Sequence, residues 1–317
     1  MKKFLIVRTD RIGDLLLTTP VIYEIKKKMA SSFVAVLTND YAKEILFNNS
    51  DVDLIYSIND NNVYKNIKTQ NFDTAIILYP RFSISLKIFL CGIPERVGTA
   101  YRWYSPLFFN KKIKVHRKNS GMHEADLNLL MIKDIIGETK AKKLFYYPME
   151  AERIRADEYL VKNNIKEFIM IFIGGRGSAD NLSPEKYADI TCAIRNKINK
   201  KIIIGYGLNE YEKIKRFKLK LNDYDGIHIL EQPFKIRDLA ALIEQADLFI
   251  SGSTGPMHIA AALGKKTLVF FPDKGALPDR WGPIGNKNSI IQPEKGKRMD
   301  DIPIELILEK LNYLLKK

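Results

Sequence analysis

The chain has 317 residues, 46% hydrophobic and 28% charged, a balance that fits a soluble globular protein long enough for two domains. Its 51 Lys+Arg against 37 Asp+Glu leave +14 at pH 7, which favours anionic partners such as phosphorylated substrates or lipid headgroups. Two distant cysteines, Cys91 and Cys192, give no disulfide framework or zinc site, and no apolar stretch is long enough to span a bilayer.

The apolar run at 4–7 stops at Arg8, too short for a signal core, so a cytoplasmic protein is expected. The basic residues carry no recognised aromatic-interleaved motif, which argues against nucleic acid as a partner. Residues 3–8 read as a buried parallel strand, followed by the turn Thr9-Asp10-Arg11-Ile12-Gly13 and a helix from Asp14 to about residue 30. Pro20 predicts a kink or a delayed start near Thr18. Strands follow at 33–37, 52–58, 74–79 and 95–98, with helices at 41–47, 83–90 and 123–136. The aromatic segment 101–109 has no clean period. It reads as an edge hairpin or loop whose rings pack on the domain rather than face an acceptor. A domain boundary falls within 140–165.

The second half repeats the alternation. Strands at 168–173, 201–205, 227–230, 247–250 and 267–271 intersperse with helices at 211–220, 236–245 and 256–263, and an amphipathic helix closes the chain at 303–315. Ser183-Pro184-Glu185 begins a further helix, with serine as N-cap and proline in the first turn. The expected fold is therefore α/β: two Rossmann-like, doubly wound parallel-sheet domains, residues 1–150 and 151–317, with the ligand cleft between them. The C-terminal helix is free to return to the first domain.

Several motifs carry little. Gly264-Lys265-Lys266-Thr267 ends a helix instead of opening one and lacks the first P-loop glycine. Asp51 and Asp53 have the spacing of a metal-binding pair but fit a solvated turn better. The four histidines lack ligand spacing, so no metal and no cofactor are expected. More informative is Ser251-Gly252-Ser253-Thr254-Gly255-Pro256-Met257-His258, where a strand ends in small residues and an Ala-rich helix begins. Free N–H groups at such a helix start favour an anion, and two glycines allow close approach of a diphosphate. A plain turn with Thr254 as N-cap fits the same residues.

The stretch Ile6-Val7-Arg8-Thr9-Asp10-Arg11-Ile12-Gly13-Asp14 through Thr18-Thr19-Pro20 resembles the opening of the family 9 glycosyltransferases, the lipopolysaccharide heptosyltransferases. Residues 252–264 resemble that family's small-Gly-Pro/Leu-x-His-Ile-Ala-Ala-Ala segment, and Arg280-Trp281-Gly282-Pro283 its closing Trp-Gly-Pro. The resemblance implies a GT-B fold, with an acceptor-binding first domain and a donor-binding second. It implies inverting transfer of a heptose from ADP-heptose to a lipopolysaccharide core, without metal. The acceptor would be an anionic glycolipid, met by a protein peripheral on the inner face of the membrane.

By resemblance Asp14 matches the catalytic base, while Gly175, Arg176, Phe234, Thr254, Gly255, Pro256 and His258 fall at or beside donor contacts. The Ser253 hydroxyl adds a donor to the diphosphate turn. Where the family often carries a lysine two residues before a tryptophan, this chain has Asp180 and Leu182; where many members have an acid, it has Ser253. Arg176 is then the candidate cation for the diphosphate. Arg8, Arg11 and Gly13 flank the base; the two arginines fit an anionic acceptor and fit surface or sheet-edge charges equally well. Two other activities suit such a scaffold: a sugar-nucleotide epimerase or hydrolase, and a non-catalytic nucleotide-sugar-binding protein.

Overall fold

A computed structural model describes residues 1–117, 120–175, 180–221, 223–275, 277–285 and 288–316. They divide into two units, Met1–Tyr147 and Pro148–Lys317. In the first unit the elements run β1 (Lys3–Val7), α1 (Ile12–Leu16), α2 (Thr19–Lys28), β2 (Phe33–Thr38), α3 (Asp40–Lys43) with a 3₁₀ turn (Glu44–Leu46), and β3 (Leu54–Ser57). There follow α4 (Val63–Gln70), β4 (Thr74–Ile77), α5 (Phe82–Leu90), β5 (Glu95–Thr99), α6 (Ser105–Phe108), β6 (Lys111–Ile113), α7 (Glu124–Leu130) and α8 (Lys133–Ile136).

The strands form one parallel sheet in the order β3-β2-β1-β4-β5-β6. β1 is central because Phe4, Leu5, Ile6 and Val7 are apolar on both faces, and all four are fully enclosed. The sheet order reverses between β1 and β4. Loops leaving those two strands diverge to opposite faces and open a crevice at the strand C-termini, the usual ligand position in such sheets. The expected interruption near Pro20 is real: α1 ends at Leu16 and α2 restarts with Pro20 in its first turn, where a missing N–H costs nothing.

The second unit contains α9 (Glu150–Lys162), β7 (Phe168–Phe172), α10 (Pro184–Lys197), β8 (Lys201–Gly205), α11 (Tyr211–Lys220), β9 (Ile227–Ile229) and α12 (Ile236–Gln245). It continues through β10 (Leu248–Gly252), α13 (Gly255–Ala262), β11 (Thr267–Phe270), α14 (Pro278–Trp281), β12 (Asn288–Ile291), a 3₁₀ turn (Met299–Asp301) and α15 (Ile304–Leu315). Its parallel sheet runs β12-β11-β10-β7-β8-β9, with the reversal between β7 and β10. α15 packs on α10, β11 and β12. α9 lies on α12 through a buried Arg237–Glu152 pair and a bidentate Arg153–Glu244 pair, at 2.8 and 2.9 Å.

Among the described residues no helix is long and apolar enough to cross a membrane.

Candidate active site

The crevice at the end of β1 is built around Arg8, the first residue past the strand. Its side chain is 2% exposed and its guanidinium is shared among several acceptors. Nε donates to Asp10 Oδ1 at 2.7 Å, and one terminal nitrogen donates to Asp14 Oδ1 at 2.7 Å. The other reaches Glu124 Oε1 at 3.2 Å and Asn128 Oδ1 at 3.3 Å on α7. Arg117 binds the same Glu124 and Asn128, and Asn128 Nδ2 closes the set on the Leu17 carbonyl at 2.9 Å. Burial alone would strip charge from Arg8, but Asp10, Asp14 and Glu124 more than reverse this and hold it as a cation. Burial pushes the Asp10 carboxyl up to about 6 against the pull of Arg8, with the Asp14 charge adding to the rise.

Asp14 is the third residue of α1, and Arg11 is the N-cap, so Asp14 does not cap this helix. Its side chain is 14% exposed; Oδ1 is held by Arg8, and among the described residues Oδ2 accepts no hydrogen bond. Asn39, the N-cap of α3, donates to the Thr9 and Asp10 carbonyls and pins the turn to the end of β2. Gly13 is buried within α1, whereas Arg11 is exposed. Arg8 is therefore not placed to meet an acceptor directly; its donors are spent inside. Tyr79 and Arg81, which sequence reasoning passed over, stand in the β4–α5 connection on the other side of the crevice. Tyr79 faces the Arg8 guanidinium at 6.0 Å, and exposed Arg81 donates to the Tyr79 hydroxyl at 3.3 Å. Neither follows from a local pattern, since only the β1–β4 pairing brings them to Arg8.

In the second unit, β10 ends at Gly252 and α13 starts after Thr254. Thr254 holds the N-cap position, but its side chain makes no capping bond. Its Oγ1 is shielded from solvent and has no hydrogen-bond partner among the described residues. A simple capped turn would have used that oxygen on a first-turn N–H. Pro256 carries no N–H, so the first turn presents those of Gly255 and Met257. Ser253 is partly exposed, and His258 is buried one turn into the helix. Gly252 is required by close approach: a Cβ there would lie 2.4 Å from Asn181 Oδ1. Asn181 in turn accepts from the Leu182 N–H at 2.9 Å and the buried Tyr187 hydroxyl at 3.0 Å, joining the ends of β7 and β10.

The β7 end is organised by Glu210, 7% exposed, whose two oxygens accept the N–H groups of Gly175 and Gly207, each at 2.8 Å. The Gly175 N–H is thus already used. Lys213, one turn along α11, donates to Glu210 Oε1 at 2.8 Å and to the Gly175 carbonyl at 3.3 Å. It places a cation at this loop. Arg176 lies outside the described residues. Glu210 and Lys213 were legible only as an acid and a base three residues apart, a pattern with no site meaning by itself. Gly175 and Thr254 are near neighbours, since a Cβ on the glycine would come 3.5 Å from Thr254 Cγ2. Phe234, between β9 and α12, is half-buried and meets Tyr159 edge-on at 5.6 Å. Asp180 is exposed and Leu182 buried. Asp53 is structural, accepting from Lys26 at 2.7 Å and the Val34 N–H at 2.6 Å.

The sequence profile of glycosyltransferase family 9 (heptosyltransferase) matches residues 61–304, which begins beyond the Asp14 turn. A Haemophilus influenzae protein with a provisional glycosyltransferase name is 27% identical over 326 residues, spanning 97% of this chain and 93% of that protein. The crystal structure of a family 9 glycosyl transferase from Veillonella parvula superposes with a TM-score of 0.86 at 18% identity, over 99% of this chain and 97% of the other. Escherichia coli ADP-heptose lipopolysaccharide heptosyltransferase II gives 0.83 at 17%, over 100% and 99%. These likenesses establish a GT-B fold of two Rossmann-like halves.

Proposed function

This chain belongs to glycosyltransferase family 9, and from that premise we propose that it moves a heptose or related sugar from a nucleoside-diphosphate sugar to a glycolipid. ADP-heptose is the donor this reading favours, because the E. coli structure of the same fold is named for it. A lipopolysaccharide core is the favoured acceptor on the same ground. The transfer inverts the sugar and uses no metal.

The observation that carries the reading is Asp14, placed at the β1–β4 switch point with one oxygen bound to a buried cation and the other left open. Oδ2 takes the proton of the acceptor hydroxyl as that oxygen attacks the anomeric carbon, while Arg8 holds Oδ1 and fixes the carboxylate's orientation. General-base help of this kind contributes on the order of 10²–10⁴-fold. The diphosphate leaves on the opposite face of the sugar, which gives inversion. Its developing charge is met by the Gly255 and Met257 N–H groups, the Ser253 and Thr254 hydroxyls, and a cation, Lys213 or Arg176. Each such donor is worth roughly 2.7–4 kcal/mol in a transition state, by analogy with oxyanion holes.

The test is product analysis with ADP-heptose in the presence and absence of a lipopolysaccharide-core acceptor. Sugar transfer that needs the acceptor supports the proposal. Turnover of donor alone would instead make the chain an epimerase or hydrolase, and binding without turnover a nucleotide-sugar-binding protein.

A further inference from the structure

The aromatic segment after β5 divides its side chains. Tyr104, Phe108 and Phe109 enter the core of the first unit, as expected from the sequence, but Trp103 is 75% and Leu107 61% exposed. α5 is likewise apolar on two sides: Ile84 and Ile88 face inward, while Phe82, Phe89 and Leu90 face solvent. Three of the outward groups, Phe82, Phe89 and Trp103, adjoin through ring contacts. Phe82 stacks on Trp103 at 5.2 Å, and Phe82 and Phe89 both flank Phe108, at 5.5 and 5.7 Å. Contiguous exposed apolar surface of this kind marks an interaction site.

The charge along this stretch of chain is one-sided. Residues 81–114 contain seven lysines and arginines and a single acid, Glu95, a net +6 of the chain's +14. Arg96 lies over the Phe89 ring at 5.1 Å, and Arg81 immediately precedes Phe82. Tryptophan, phenylalanine and leucine tips among cations suit a boundary where acyl chains meet anionic headgroups.

We propose that the α5–α6 face, with Trp103, Leu107, Phe89 and Leu90 as its inserting groups, docks this protein on an anionic lipid surface. The edge of the face reaches the candidate site: Arg81 bonds the Tyr79 hydroxyl, and Tyr79 faces Arg8, which holds Asp14. A membrane seated on α5 and α6 brings a lipid-borne hydroxyl toward Asp14. This second step rests on the proposed glycolipid acceptor; the docking itself does not.

The experiment is co-sedimentation of the full chain with vesicles of phosphatidylcholine alone and of phosphatidylcholine mixed in equal parts with phosphatidylglycerol, without donor or acceptor. Wild type is expected to bind the anionic vesicles, more weakly as salt rises, and to bind the neutral ones poorly. The double variant Trp103→Ser/Leu107→Ser should retain its thermal transition and its transfer to a water-soluble core oligosaccharide, yet bind anionic vesicles at least about tenfold less. Failure of the wild type to bind anionic vesicles, which would leave a protein as the occupant, overturns the proposal. So does a double variant that binds as wild type does. Vesicle binding that stands while transfer is absent would leave the docking face intact and remove the transferase reading instead.

Discussion

Arg8 and Asp14 form an ion pair at 2.7 Å in which the cation is 2% exposed and the anion 14%. The guanidinium is built into the protein by Asp10, Glu124 and Asn128, while the carboxylate it holds reaches the crevice. In the proposed mechanism Arg8 is thus a positioning residue, and Asp14 the group set out for chemistry.

A lysine cannot span this fork of acceptors, so Arg8→Lys should keep the fold but let the Asp14 carboxylate turn. A misplacement near 1 Å at a reacting group costs about 10²-fold. The expected result is a kcat lower by roughly that factor with the donor KM unchanged, measured by steady-state transfer. Arg8→Met strips Asp10 and Asp14 of their buried cation and leaves Glu124 with Arg117 alone, and should destabilise the fold by about 3–5 kcal/mol, read by chemical denaturation.

Asp10 makes stability depend on pH. Its carboxyl is raised from 3.8 to about 6 in the fold, first by burial, so between these values the folded chain binds more protons than the unfolded chain. Its contribution is fully present below about pH 4 and is lost as pH rises through about 6, a change on the order of 2–3 kcal/mol. Asp10→Asn abolishes this titration. The stability of wild type relative to Asp10→Asn should therefore fall between pH 4 and 7 in urea titrations; a constant difference would contradict the assignment.

Thr254 separates a capping role from a ligand-binding one. Its hydroxyl makes no capping bond and has no partner among the described residues. Thr254→Val should change stability by less than about 0.5 kcal/mol, yet weaken nucleotide-sugar binding up to about tenfold, the worth of one hydrogen bond. Calorimetric titration with ADP-heptose or ADP reads the affinity, and thermal unfolding without ligand reads the fold.

Glu210 and Lys213 should part in the same way. In Glu210→Gln one carboxylate oxygen becomes an amide facing a backbone N–H, which should cost about 1–3 kcal/mol of stability and loosen the Gly175 loop. Lys213 has its side chain 39% exposed. Lys213→Met should unfold normally but bind the diphosphate less tightly, and with less salt dependence.

The central parallel strands were legible because their residues are apolar without interruption, as in 4–7 and 168–172. Two of the four edge strands were not: β6 is Lys-Lys-Ile and β12 Asn-Ser-Ile-Ile, short and half polar, and only pairing with β5 and β11 makes them strands. α9 was hidden because it opens Glu-Ala-Glu-Arg-Ile-Arg-Ala-Asp-Glu and over its whole length buries only Glu152, Ala156 and Leu160, so that it otherwise reads as a polar connection. At the site, the turns around Asp14 and Thr254 could be found from local glycine and strand signals. The partners that give them meaning could not. Arg8 looked like a surface or acceptor-binding charge until Glu124 and Asn128, more than a hundred residues away, were seen to hold it.

The most direct measurement is the turnover of Asp14→Asn with ADP-heptose and a lipopolysaccharide-core acceptor, alongside its donor affinity and thermal transition. Asparagine preserves the shape and can still accept the Arg8 hydrogen bond, but it cannot take the acceptor's proton. The expected result is turnover lower by about 10² or more, with donor affinity and folding kept. Turnover close to that of the wild type would contradict the assignment of Asp14 as the base.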